Sequence, residues 1–127
     1  MIKKISALIV CAVLGAGVSH ATTIQLLKPG LGKDYVFPRN EPVVLSNPVM
    51  FTVKAACTIA SEIEDNLISF TVLRKTGSFN GTKLIAGDNI SYIVRNEETI
   101  MVTAVPGAQV EFLNLGESTI VATCSVT

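Results

Sequence analysis

Hydrophobic and polar residues alternate along most of this chain. From Val49 to Ile59, one face carries Val49, Phe51, Val53, Ala55, Cys57 and Ile59, and the other carries Met50, Thr52, Lys54, Ala56 and Thr58. Successive side chains of an extended strand point to opposite sides, so a period of two marks a strand with one buried face. Near the end, Ile120, Ala122, Cys124 and Val126 share one face, while Val121, Thr123 and Ser125 share the other. Shorter alternating runs lie between them, centred on Phe70, Tyr92, Val102 and Phe112. Turn formers separate these runs, at Thr76 and Gly77, Asn80 and Gly81, Gly87 and Asp88, Asn96 and Glu97, Pro106 and Gly107, and from Asn114 to Gly116. Short strands punctuated by Gly, Asn and Pro predict an all-β sandwich or barrel of about 7–9 strands. Only Ala60 to Asn66 has room for a helical turn.

The stretch from Lys28 to Pro48 reads differently, because four of the five prolines sit in it. Proline lacks the N–H that a ladder needs, so this region is expected to form loops and edge strands. Prolines on an edge also discourage pairing with other chains.

The first 21 residues follow another pattern. Lys3 and Lys4 precede an uncharged, mostly apolar run from Ile5 to Val18, and Ser19, His20 and Ala21 complete a cleavage-site pattern. This predicts a cleaved secretory signal over residues 1–21 and one exported domain over 22–127, periplasmic or extracellular. The apolar run falls short of the ~20 residues of a membrane span. Val10, in place of a small residue, precedes Cys11 and argues against lipid attachment. The two-lysine start and short core have the style of a bacterial signal.

Cleavage changes the chemistry that remains. The whole chain has ten basic and ten acidic residues; without Lys3 and Lys4, eight basic face ten acidic, a formal charge of −2. That balance argues against a nucleic-acid surface and against a polybasic membrane patch. His20, the single histidine, and Cys11 also leave. Without histidine there is no Ser-His-Asp or Cys-His catalysis and no histidine metal centre, and no cofactor is expected. The two remaining cysteines, Cys57 and Cys124, read as a disulfide in an exported chain. Both fall on apolar faces, which points to a bridge through the core between strands distant in sequence. Closing this loop stabilises the fold by ~4 kcal/mol in the chain-entropy model, a useful staple for a small core.

Other candidate chemistry is weaker. Glu62, Glu64 and Asp65 offer oxygen ligands for calcium, but no glycine-centred twelve-residue loop surrounds them, and they read as a solvated acidic turn. Glu97 and Glu98 are adjacent, which suits them poorly to act as an acid/base pair. Gly30 to Lys33 lacks the spacing of a phosphate loop and reads as a turn, and the sequons at Asn80 and Asn89 carry no weight in a bacterial chain. From Arg74 to Lys83 a polar, basic, glycine-containing segment surrounds Phe79. Arg74, Lys75, Phe79 and Asn80 are therefore candidate partner contacts, although Phe79 has the alternative of folding back onto the end of the sandwich.

With Cys57 in an early strand, Cys124 in a late one and short strands between, the chain resembles a small exported immunoglobulin-like sandwich. The resemblance is one of architecture: the chain has no tryptophan, and Ala122 stands where the immunoglobulin family carries a tyrosine. It implies a non-enzymatic binding module for a protein or cell-surface ligand, acting through loops at one end or by strand addition at an open edge. The alternatives are a structural subunit of an envelope appendage and a secreted inhibitor of a host or rival enzyme.

Overall fold

The computed structural model describes residues 23–127, and the expected signal segment 1–21 lies outside them. The strands are β1 (Thr23–Leu26), β2 (Gly30–Phe37), β3 (Pro42–Ser46), β4 (Val53–Ser61), β5 (Asp65–Arg74), β6 (Thr76–Phe79), β7 (Thr82–Ile85), β8 (Asn89–Arg95), β9 (Thr99–Ala104), β10 (Gln109–Asn114) and β11 (Ile120–Val126). They form a five-stranded sheet in the order β1-β3-β10-β5-β8 and a six-stranded sheet in the order β2-β11-β4-β9-β6-β7. The fold is thus the expected all-β sandwich, with eleven strands rather than 7–9. Among the described residues no helix is long and apolar enough to cross a membrane.

The additional strands arise where alternation is faint. Arg74 to Lys83 is not a loop, because β6 and β7 pair as a hairpin across Asn80 and Gly81. Both turn residues have positive φ, 49° and 86°, the conformation that lets an Asn-Gly turn match the twist of its strands. The proline-rich stretch supplies β2, an edge strand as expected. It also supplies β3, which lies inside its sheet, parallel to β1 and antiparallel to β10. Pro42 is accommodated as the first residue of that strand. No helical turn forms near Ala60, since β4 runs to Ser61 and β5 begins at Asp65.

Inward-facing positions follow the alternation. Val53, Ala55, Cys57 and Ile59 of β4 are buried, as are Ile120, Ala122, Cys124 and Val126 of β11. β4 begins at Val53, however, and Phe51 is exposed instead of continuing the buried face. At the centre, Phe70 packs against Phe79 and Phe112 with ring centroids 5.1 and 4.9 Å apart. These tilted and edge-on arrangements are the ones aromatic quadrupoles favour.

Cys57 and Cys124 are disulfide-bonded, with Cα atoms 4.0 Å apart. They stand directly opposite each other in the β4–β11 register. The bridge is buried as expected, but it joins neighbours within one sheet, whereas the immunoglobulin bridge crosses from sheet to sheet. A buried disulfide fits an oxidising compartment.

Candidate functional site

Up-and-down strands collect the turns at two opposite ends of the sandwich. At one end the turns 38–41, 62–64, 96–98 and 115–119 meet. Asn40 N–H donates to Asn114 O (2.7 Å), Asn96 N–H to Glu64 O (2.9 Å) and Glu97 N–H to Ile59 O (2.7 Å). The Ser61 and Ser118 hydroxyls share a 2.7 Å hydrogen bond that ties the end of β4 to the 115–119 turn. Glu62, Glu64 and Asp65 sit here with Glu97 and Glu98, and Glu41 and Glu117 complete the rim. Among the described residues, Arg39 and Arg95 are the basic side chains that oppose these seven carboxylates. Arg95 lies 3.6 Å from Asp65 in an exposed pair, and Arg39 Nε donates to Gly116 O at 3.2 Å.

Glu98 is the most engaged of these acids. It accepts hydrogen bonds from the Arg95 N–H and from the Tyr92 hydroxyl. The Tyr92 bond raises that phenol above its ordinary value, and desolvation and the Glu98 charge add to the shift. Glu64, Tyr92, Ile93, Arg95 and Glu98 line a broad open groove at this end. No three His, Cys, Asp or Glu side chains converge to hold a metal ion among the described residues.

The opposite end has the other sign. The turns 47–52, 86–88 and 105–108 meet there with Lys75, the β1–β2 connection and Thr127. Lys28, Lys54, Arg74 and Lys75 are all exposed at this end, with Asp88 the acidic side chain among them. Asp88 Oδ2 is occupied in capping its own turn, accepting from Ile85 N–H at 2.9 Å.

The centre of the basic end is Asn47, which is 1% exposed. Its Nδ2 donates to Phe51 O at 2.9 Å and to Ala104 O at 2.8 Å, and its Oδ1 accepts from Val49 N–H at 2.9 Å. Its backbone exchanges hydrogen bonds with the β9–β10 turn, donating to Ala108 O and accepting from Gly107 N–H, each at 3.0 Å. Asn47 thereby ties the Pro48–Thr52 loop, through Phe51 O and Val49 N–H, to the end of β9 and the β9–β10 turn. That loop presents Met50, 91% exposed, and Phe51, 53% exposed. Lys75 lies across Gly107, where an added Cβ would sit 3.4 Å from its Cε. The apolar tip and the cationic group thus share one surface.

The residues expected to contact a partner divide between surface and core. Arg74 and Lys75 are exposed at the basic end. Phe79 is 1% exposed and packs on Phe70, Tyr92 and Phe112, so it is a core residue and does not touch a partner. Its strand turns the ring inward at the position opposite Val102 of β9. Asn80 belongs to the hairpin turn, where it exchanges 2.8 Å hydrogen bonds with the backbone of Met101. Met50 and Phe51 escaped the sequence reading because they continue the alternation of β4. The signal that could have separated them is Asn47-Pro48, a pair that favours turns.

No protein-family model matches the chain, and no curated protein matches it.

Proposed function

We propose that this chain is an exported, non-enzymatic interaction module that engages its partner through the basic end of the sandwich. The observation that carries this reading is the Asn47-anchored loop. It holds Met50 and Phe51 out of the core, at the end of the sandwich that also carries Lys54 and Lys75. A fixed loop loses little conformational freedom on binding, and an exposed aromatic beside cations makes an effective anchor. Export is supported by the signal pattern of residues 1–21 and by the buried disulfide. The lack of histidine in residues 22–127 supports a role other than catalysis. The two packed sheets of short strands support the architecture-level resemblance to exported immunoglobulin-like sandwiches.

The opposite signs of the two ends favour a second reading, a structural subunit that assembles with other subunits. A pull-down from the source envelope with the oxidised protein, beside the Phe51→Ser and Lys75→Glu variants, tests the first reading. A partner held by the wild type and lost by both variants supports it. A partner held equally by all three moves the site away from this end. Fractionation of the source cells reports whether the chain is exported.

A further inference from the structure

We propose that copies of this chain associate head to tail, with the basic end of one molecule seated on the acidic end of the next. The inference rests on the basic end being a contact surface, and it names the contact's occupant as a second copy. The two ends complement each other in charge. One carries seven carboxylates against Arg39 and Arg95, and the other carries Lys28, Lys54, Arg74 and Lys75 against Asp88. They also complement each other in apolar character. The basic end projects Met50 and Phe51, and the acidic end holds an open groove whose walls include Tyr92 and the 54% exposed Ile93. Phe51 entering that groove brings Lys54 and Lys75 against its carboxylate rim.

Pairing of like ends is repelled by charge, which disfavours a two-fold dimer. The two surfaces differ, so the contact is heterologous and leaves a free basic end and a free acidic end on every assembly. Growth is then open-ended unless the geometry closes a ring. The charges involved are exposed, so association depends on salt and fades as the Debye length falls below about 8 Å.

Sedimentation velocity of the oxidised protein without residues 1–21 tests this. At about 20 mM salt the average mass should rise with concentration past that of a dimer, and at about 500 mM it should return to a monomer. Two neutralised variants identify the surfaces. K54Q/R74Q/K75Q neutralises the basic end, leaving Lys28 against Asp88, and E41Q/E62Q/E64Q/E97Q/E117Q neutralises the acidic end, leaving Asp65 and Glu98 against Arg39 and Arg95. Each alone should be monomeric. Their equimolar mixture should form a 1:1 dimer and stop there, because each contributes one competent end. Circular dichroism of both variants establishes that they are folded, as expected for changes at exposed positions.

A wild-type protein that stays monomeric at low salt overturns the proposal. So does a dimer that both variants retain, since that contact uses neither end. Vesicles of anionic lipid provide a further arm. Vesicle binding that depends on the basic end, without self-association in solution, replaces the second copy with a membrane surface. Failure here leaves the interaction module standing if the Phe51→Ser variant still loses its partner in the pull-down. If that variant and Lys75→Glu keep the partner, the basic end is not the contact surface, a result independent of self-association.

Discussion

The side-chain amide of Asn47 donates a 2.8 Å hydrogen bond to the carbonyl of Ala104, 57 residues further along the chain. A second bond to Phe51 O makes the same amide the anchor of the exposed loop. Replacing it strips a partner from the carbonyl of Ala104, which is fully buried. Asn47→Ala is expected to destabilise the protein by about 1–3 kcal/mol, the cost of leaving buried polar groups unpaired. Urea denaturation reads the loss, and hydrogen exchange should show faster opening at Val49.

The Cys57–Cys124 bond closes a loop of sequence separation 67. Reduction, or the pair Cys57→Ser and Cys124→Ser, is expected to cost about 4 kcal/mol in the chain-entropy model. Denaturant midpoints measured with and without a reductant give the value. A much smaller loss would mean that the unfolded chain keeps its ends close without the bond.

Phe79 and Arg74 offer a paired test of what the β5–β7 segment does. Phe79→Ala removes a ring from the aromatic core and is expected to cost about 3–5 kcal/mol. Arg74→Ala, at an exposed position, should change stability by no more than about 0.5 kcal/mol. Equal effects in chemical denaturation would contradict the buried placement of the ring.

Tyr92 and Glu98 make alkaline stability partly a property of one hydrogen bond. The bond raises Tyr92 above its ordinary value of 10.0, with burial and the Glu98 charge acting in the same direction. A raised folded-state value means that the protonated phenol stabilises the fold fully below the unfolded value. That contribution is lost as pH rises through the folded one. Stability should therefore fall above about pH 10. Glu98→Gln should bring Tyr92 ionisation to lower pH, followed by tyrosinate absorbance. Tyr92→Phe should flatten part of the alkaline loss, leaving the share due to Tyr35, which burial also raises.

The faces of β4 and β11 were legible in the sequence because each has one buried and one exposed side. β3 was not, since Val43, Val44 and Leu45 are all buried and leave no alternation to read. Both neighbours of that strand are formed by distant segments, which local pattern does not reveal. In β6 the buried positions are Gly77 and Phe79. Gly77 is required to be small, because an added Cβ would lie 2.8 Å from the Thr103 carbonyl oxygen. A buried glycine contributes nothing to a hydrophobic pattern, so the strand read as a loop. The separation of charge between the two ends was hidden for a different reason. The total of −2 over residues 22–127 averages over both ends, and the strand directions are what bring Glu62 and Glu97 to one end and Lys54 and Lys75 to the other.

The direct opposition of Cys57 and Cys124 also has a consequence for how the chain reaches this fold. A slip of β11 by a single residue along β4 would turn its thiol to the opposite face of the sheet. The two sulfur atoms would then be separated by the sheet itself, and no bond could form between them. The bond is therefore compatible with the native register of β4 and β11 and incompatible with that one-residue slip.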